Sequence, residues 1–195
     1  YTDESTGVAD MIIDPSNPDK LLVAMWSHRR QPWFFTSGGE GSALHITHDG
    51  GSSWKKLTDE EGLPGGELGR IGLAVSAANP DVIYALVESS STGLYHSLDG
   101  GVSWSLIQGD NIGNRPFYYA DIYADPSDER RLFNLYSMVD LSEDGGRTFR
   151  TILPYSGVHP DHHAFYIHPD DPNFLIDGND GGLNISRDGG QSWTF

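Results

Sequence analysis

Residues 47–54 read THDGGSSW, and three later segments repeat this pattern: SLDGGVSW at 97–104, SEDGGRTF at 142–149 and SRDGGQSW at 186–193. Each version begins with Ser or Thr, has Asp-Gly-Gly at its centre, and ends with Ser or Thr followed by an aromatic residue. We call this segment the Asp box. Its aspartates, Asp49, Asp99, Asp144 and Asp188, are 50, 45 and 44 residues apart.

This spacing is typical of one four-stranded blade of a β-propeller. Two consecutive glycines supply the positive φ angles of a tight hairpin turn, and the Asp carboxylate accepts hydrogen bonds from the backbone of the turn. The aromatic residue starts the next strand and packs between blades. Because the same device occurs in every blade, we interpret the four aspartates as structural and not catalytic.

A second repeated signal precedes each Asp box. Polar turns, each with proline, lie between two apolar runs at residues 14–19, 76–81, 125–129 and 168–173. Each turn joins the first strand of a blade to the second. The sequence therefore predicts an all-β fold, a propeller of four consecutive four-stranded antiparallel blades at approximately 1–60, 61–110, 111–154 and 155–195.

Composition restricts the class of protein. The chain has 195 residues, of which 37% are hydrophobic, and a formal net charge of −16. A strongly acidic surface repels nucleic acid and anionic membranes, and no apolar run is long enough to predict membrane insertion. With no cysteine and many aromatic residues, the composition favours a secreted, periplasmic or cell-surface bacterial protein.

The two ends of the chain fall at nearly the same phase of the repeat. The chain starts at Tyr1 and not at Met, and its last residue, Phe195, matches Thr151 of the preceding blade. We expect an open arc that is part of a larger propeller, whose remaining blades are partners of this segment. The alternative is that four blades close into a small ring.

The Asp boxes resemble the BNR or Asp-box repeats of sialidases, xyloglucanases and sortilin-type receptors. Residues 29–33, 115–119, 161–163 and 178–182 extend the likeness to the sortilin-like propellers of large secreted bacterial proteins often labelled glycosyl hydrolases. The resemblance covers essentially the whole chain. It implies a propeller of more than four blades.

One face of the propeller is the predicted site, because Asp boxes and polar turns share the other face. The loops of this working face are residues 27–41, 88–92, 137–138 and 178–182 within blades, and 3–7, 62–70, 110–118 and 156–163 between blades. Variable loops on a rigid scaffold are where binding residues usually lie. Four arginines fall there and are predicted to converge on the central channel: Arg29, Arg30, Arg70 and Arg115.

Convergent guanidinium groups suit a carboxylate or sulfate of a ligand. The alternative is that they pair with Asp10, Glu67, Glu88 or Asp161 and neutralise the channel. The Arg-Ile-Pro motif of sialidases is absent. The longest insertion, which we expect to be a mobile flap, contains or adjoins Trp26, Trp33, Phe34 and Phe35, and Tyr118 lies three residues after Arg115. Their rings are predicted to contact a sugar or peptide, with packing over the channel as the alternative.

The remaining predicted ligand-binding residues lie in the fourth blade: His162, His163, Asn179 and Asp180. Adjacent histidines on a strand point to opposite faces, so they do not suit a single metal ion. Asn179 and Asp180 suit either Ca²⁺ or a tight turn, and the turn needs fewer assumptions. We predict no metal and no cofactor.

Three functions are compatible with the sequence. The first is a ligand-binding or scaffold module for glycans or polypeptides. The second is a sialidase- or xyloglucanase-like glycoside hydrolase, whose candidate carboxylates are Asp10, Glu67, Glu88, Asp161 and Asp180. The third is a segment of a surface protein with no ligand of its own. We expect the binding or scaffold role.

Overall fold

The computed structural model describes residues 3–110 and 112–195. Blade 1 contains β1 (Thr6–Asp14), β2 (Asn17–Gln31), β3 (Phe34–Ser37), β4 (Ala43–Thr47) and β5 (Lys55–Leu57). Blade 2 contains β6 (Ile71–Ser76), β7 (Asn79–Val87), β8 (Gly93–Ser97) and β9 (Ser105–Gln108). Blade 3 contains β10 (Asp121–Asp125), β11 (Asp128–Leu135), β12 (Val139–Ser142) and β13 (Arg150–Leu153). Blade 4 contains β14 (His162–His168), β15 (Asp171–Asn179) and β16 (Gly182–Ser186).

Blades 2, 3 and 4 are antiparallel meanders in which consecutive strands pair, and blade 1 is a meander of β1, β2, β4 and β5 in which β3 pairs with an extension of β2. In blade 4 a single bridge between Ile185 and Thr194 occupies the place of the fourth strand. A 3-10 helix at Asp59–Glu61 follows blade 1. Of the helices in the described residues, none has the length and apolar character to cross a membrane. The all-β propeller architecture predicted from the repeat is confirmed, while residues 1, 2 and 111 of the predicted blade limits lie outside the described residues.

The core consists of three apolar layers between successive blades. Leu22 and Leu44 of blade 1 pack against Ile83 and Tyr95 of blade 2, and similar layers lie between blades 2 and 3 and between blades 3 and 4. The first strands of the blades, β1, β6, β10 and β14, contact one another in succession. These strands therefore line the centre of the arc.

The blades approach so closely at the centre that one glycine is required. A Cβ atom on Gly72 of β6 would overlap the carbonyl oxygen of Ala120, which immediately precedes β10. Nearby, the backbone N–H of Leu73 donates to Asp10 Oδ2 of blade 1 at 2.7 Å. The close approach to Ala120 and the hydrogen bond to the Asp10 side chain thus position blade 2 against both of its neighbours.

The Asp boxes form hydrogen-bonded turns in all four blades. In blade 2, Asp99 accepts from the N–H groups of Val102 and Ser103 and from the hydroxyls of Ser97 and Ser103. The next residue, Gly100, donates its N–H to the carbonyl of Asp81 at 2.9 Å, which ties the turn to the start of β7. Partial burial acts to raise the pKa of Asp99, but these hydrogen bonds outweigh it and lower the pKa to about 2.

The insertion of blade 1 differs from the expected mobile flap. Strand β2 continues to Gln31 and pairs with β3, from His28 opposite Ser37 to Gln31 opposite Phe34. Pro32 and Trp33 form the turn of this hairpin. Because backbone pairing replaces irregular structure, side chains along the hairpin alternate between its two faces.

Candidate functional site

An aromatic and arginine cluster lies on the working face, where the blade 1 hairpin meets the segment between blades 2 and 3. We call it the loop-face cluster. It comprises Trp26, Arg30, Phe35, Arg70, Arg115, Phe117, Tyr118 and Tyr119. Three of the four arginines selected from the sequence therefore meet in one place.

The centre of the cluster is a row of aromatic rings in edge-to-face and tilted contacts. Phe117 contacts Trp26 and Phe35 of blade 1, with ring centroids 5.1 and 4.7 Å apart, and Tyr118 at 5.0 Å. Tyr119 continues the row at 6.3 Å from Tyr118. These ring contacts hold the hairpin of blade 1 against the segment that leads into blade 3.

Arg70 anchors this arrangement from below. Its Nη1 donates to the carbonyl of Tyr118 at 2.8 Å, and its Nη2 lies 3.6 Å from Asp121 Oδ1. Its backbone N–H donates to Glu88 Oε2 at 2.7 Å, and Glu88 also accepts the hydroxyl of Ser37 in the hairpin. Both the guanidinium group and the backbone N–H of Arg70 contact other groups of the protein. Arg70 therefore has a structural role in this arrangement.

Arg30 and Arg115 are different. Both are exposed, and within the described residues neither has a carboxylate oxygen within 4.0 Å. Their guanidinium carbons lie 6.0 and 5.1 Å from the centre of the Tyr118 ring, so the two cations flank one aromatic side chain. Among the described residues Arg29, Arg147 and Arg187 also have no carboxylate oxygen within 4.0 Å, so the shared contact with Tyr118 is what sets Arg30 and Arg115 apart.

Arg29 and Trp33 lie away from the cluster. Arg29 points to the opposite face of the hairpin, where its Nη2 is 3.4 Å from Ser5 Oγ. The prediction that four arginines converge is therefore wrong for Arg29, because adjacent strand residues alternate. Trp33 is 78% exposed at the hairpin turn, where it extends the aromatic surface outward.

The far side of the cluster contacts blade 4. The ring of His163 stacks on Tyr119 with centroids 5.5 Å apart, and its Nε2 is 3.9 Å from Asp180 Oδ1. A hydrogen bond from Tyr119 is the largest influence on Asp161, and with Ser137 and the charge of Arg115 it holds the pKa of Asp161 below its ordinary value. His163 and Asp180 are exposed and adjoin the cluster.

His162 is not part of this surface. It is buried, and its Nδ1 lies 2.8 Å from Asp177 Oδ1 in the interior of blade 4. Asn179 donates to Asp177 Oδ2 and accepts the N–H of Gly181, which makes it the organiser of a turn. His162 and Asn179 thus make internal contacts within blade 4, and their binding role stays a prediction. Among residues 3–110 and 112–195, no three His, Cys, Asp or Glu side chains are grouped as a metal site.

A pair of carboxylates lines a cavity of about 280 Å³ at the centre of the arc. Asp10 and Asp121 occupy equivalent positions in β1 and β10 and share the cavity with Leu73 and Tyr123. Burial raises the pKa of Asp121, and Arg70 opposes this effect. Asp10 accepts the N–H groups of Met11 and Leu73.

Sequence reasoning did not select Phe117, Tyr119 or Asp121 for the site. The run of three aromatic residues from 117 to 119 was the available signal for the first two. Asp121 gives no such signal, because its position in the cavity depends on how β10 faces the other first strands.

Comparisons with known proteins place the chain among β-propellers. No family model matches it. The chain is 32% identical over 125 residues to vacuolar protein sorting/targeting protein 10 of Aspergillus flavus and to the same protein of Aspergillus oryzae. The match covers 64% of this chain but only 8% of each relative. This similarity supports the sortilin-like resemblance.

Solved structures show the same architecture. An ancestral GH74 enzyme aligns over 99% of this chain and 24% of its own, with 17% identity and a TM-score of 0.64. The GH74 xyloglucanase of Xanthomonas campestris aligns over 97% of this chain and 36% of its own, with 15% identity and a TM-score of 0.54. YCF48 bound to D1 peptide aligns over 97% of this chain and 82% of its own, with 15% identity and a TM-score of 0.54. The chain is therefore an open part of a β-propeller, a fold used for binding and as a scaffold.

Proposed function

We propose that this propeller segment is a binding module whose loop-face cluster takes an acidic stretch of a polypeptide. One observation carries the proposal: Arg30 and Arg115 flank Tyr118 and have no carboxylate within 4.0 Å among the described residues. Guanidinium groups that stack on a ring keep their N–H edges available for a carboxylate. A carboxylate of an acidic ligand can therefore form ion pairs with Arg30 and Arg115.

Lack of an ion pair does not by itself distinguish these two arginines. Arg70, Arg130, Arg131 and Arg150 have a carboxylate oxygen within 4.0 Å, whereas in the described part of the chain Arg29, Arg147 and Arg187 have none. Arg30 and Arg115 differ from those three in that both lie against the Tyr118 ring on the working face. Because the protein as a whole repels anions, it selects ligands whose negative charge lies where Arg30 and Arg115 can contact it.

A polypeptide suits the surface better than a polysaccharide does. Strand β3 pairs only with β2 in the described sheets, which leaves its other edge available to an extended chain. Phe34 and Phe35 of that strand are about half exposed and suit apolar side chains of a peptide. The D1 peptide bound to YCF48 and the sorting role of the Aspergillus relatives support a polypeptide ligand.

A peptide array tests the proposal. Short synthetic peptides are presented in pairs, each with Glu residues and with Gln in their place, beside an array of acidic and neutral glycans. We expect retention of Glu peptides over their Gln counterparts, because only carboxylates pair with Arg30 and Arg115. Selective retention of acidic glycans, or equal retention of Glu and Gln peptides, contradicts the proposed ligand class.

A glycoside hydrolase is the second candidate function, and the shared cavity of Asp10 and Asp121 favours it. Such enzymes use one carboxyl group with a raised pKa as the acid and a second carboxylate as nucleophile or base, and the pKa of Asp121 is raised. The GH74 neighbours suggest xyloglucan as the first substrate to test. If the chain hydrolyses xyloglucan and Asp121→Asn abolishes this activity, the hydrolase function is established. If the chain does not hydrolyse xyloglucan, the two aspartates are left as structural groups.

We also propose that the module works outside the cytoplasm of a bacterium. The acidic composition and the absence of cysteine agree with an exported protein. Fractionation of the source cells with an antibody against the chain tests this location. Detection confined to the cytoplasm contradicts it.

A further inference from the structure

Strand β3 (Phe34–Ser37) has one edge that pairs with no other strand of the described residues. On one side of β2, the N–H of His28 donates to the carbonyl of Ser5, which precedes β1. On the other side, the carbonyl of Ser27 accepts from Gly38, which follows β3. The free edge of β3 therefore faces outward from the arc, in the direction of β4 and β5, and not towards the position of a neighbouring blade.

The hydrogen bonds of the hairpin show which backbone groups face this edge. The N–H of Gly38 donates to the carbonyl of Ser27 at 2.9 Å, and in antiparallel strands hydrogen-bonded pairs alternate with non-hydrogen-bonded pairs. In the register of β2 and β3, Thr36 is thus bonded to β2, whereas Phe35 and Ser37 direct their N–H and C=O groups outward. In the described part of the chain, no other backbone group bonds to these outward groups.

The side chain of Phe35 connects this edge to the loop-face cluster. Its ring is 50% exposed and lies 4.7 Å from the ring of Phe117 and 6.3 Å from that of Tyr118, between centroids. Arg30 is opposite Phe35 in β2, and its guanidinium carbon lies 6.0 Å from the centre of the Phe35 ring. Directly opposite residues of adjacent strands share a face. A strand added beyond β3 would therefore place the side chain opposite Phe35 on the face of the loop-face cluster.

We propose that the polypeptide ligand binds as an added strand on the free edge of β3 and that the site selects acidic residues at alternate positions. This inference rests on the proposed function and specifies its ligand class further. The outward N–H and C=O groups of Phe35 and Ser37 pair with the ligand backbone. Every second ligand side chain then faces Arg30 and Arg115, and the side chains between them face away.

The positions of the two arginines agree with this spacing. Their guanidinium carbons lie 6.0 and 5.1 Å from the centre of the ring of Tyr118, which they flank. Residues i and i+2 of an extended chain are about 7 Å apart, and two flexible Glu side chains cover the remaining distance. A Glu-x-Glu ligand therefore pairs with both Arg30 and Arg115, whereas an adjacent Glu-Glu pair presents only one carboxylate to them.

Peptides of identical composition test the spacing. Each carries two Glu residues in a neutral sequence of Thr and Val, at positions i and i+1, i and i+2, or i and i+3. The i, i+2 peptide should bind roughly 10-fold more tightly than the other two, because it forms one more pair with an arginine. Arg30→Ala with Arg115→Ala should abolish this preference, and the control Arg147→Ala with Arg187→Ala should retain it, with unchanged melting of both double variants.

N-methylation of the i, i+2 peptide, one amide at a time, tests the strand pairing. An added strand bonds to β3 through every second residue, so methylation should weaken binding roughly 10-fold at alternate positions and by less than about twofold between them. Hydrogen exchange of the protein is a second readout. The amides of Phe35 and Ser37 should exchange roughly 10-fold more slowly in the complex, whereas that of Val102 in the Asp box of blade 2 should not change.

The outcomes separate this inference from the proposed function. Equal binding of the three Glu spacings, or methylation effects that do not alternate, overturns the added strand even when Glu peptides are preferred to their Gln counterparts. Equal binding of Glu and Gln peptides overturns the proposed function and this inference together.

Discussion

Replacing Asp99 by Ala removes four hydrogen bonds from the Asp box of blade 2. The carboxylate accepts Ser97 Oγ at 2.7 Å, Ser103 N at 2.8 Å, Val102 N at 3.1 Å and Ser103 Oγ at 2.6 Å. The donors of Val102 and Ser103 are exposed and regain partners in water, whereas Ser97 is buried. The cost should therefore be that of one or two unsatisfied groups, about 1–3 kcal/mol in the free energy of unfolding.

Thermal and urea unfolding measure this loss. For a domain of this size, about 2 kcal/mol lowers Tm by roughly 4–8 °C. Leu98→Ala is the matched control, because Leu98 is the neighbouring residue and is 64% exposed. It should change stability by less than about 0.5 kcal/mol. Equal unfolding of Asp99→Ala and wild type would refute the structural role of the box.

The effect should also depend on pH. The pKa of Asp99 is about 2 in the folded chain, below its ordinary value of 3.8. Because the folded state binds the proton less readily than the unfolded state, the stabilisation is complete above the ordinary pKa and is lost as the pH falls towards 2. The difference between Asp99→Ala and wild type should be constant near neutral pH and shrink between about pH 4 and pH 2. An unchanged difference in acid contradicts the role of the carboxylate charge.

Two further substitutions test the packing of the blades and the position of Arg70. Gly72→Ala should destabilise the fold by about 3 kcal/mol or more in urea unfolding, because its Cβ would overlap the Ala120 carbonyl. The control Gly7→Ala should be nearly neutral, because no atom lies within 4 Å of a Cβ placed on Gly7. Equal effects of the two substitutions contradict the close approach of Gly72 and Ala120. Arg70→Ala should cost about 2 kcal/mol, because it leaves the half-buried Asp121 without its cation, and unchanged melting would show that Arg70 is free for a ligand.

The repeat allowed the architecture to be predicted, because the residues of each Asp box are themselves sufficient to specify its turn. The glycines of the box adopt positive φ, as Gly100 does at 72° and Gly101 at 96°, and the carboxylate bonds are local in sequence. Polar turns such as residues 14–19 mark the first hairpin of each blade. Local signals of this kind do not depend on packing between blades.

The site was predicted less completely, because side-chain direction within the insertion depended on unrecognised strand pairing. Residues 27–41 contain no clear alternation of apolar and polar residues, so the hairpin and the opposite directions of Arg29 and Arg30 were not foreseen. The burial of His162 depends on Asp177, which lies 15 residues away on the adjacent strand. Such contacts between strands are set by register, which the sequence specifies only through the packed structure.

The most direct test of acidic-ligand binding is calorimetry with the best Glu peptide from the array. The variant is Arg30→Ala with Arg115→Ala, and the control is Arg147→Ala with Arg187→Ala, which makes the same charge change in the Asp boxes on the opposite face. We expect the first pair to weaken binding by roughly 10-fold or more per arginine at low salt, with unchanged melting and a smaller loss at high salt. Binding that is equally reduced in both double variants, or unchanged in the first, would contradict recognition by Arg30 and Arg115.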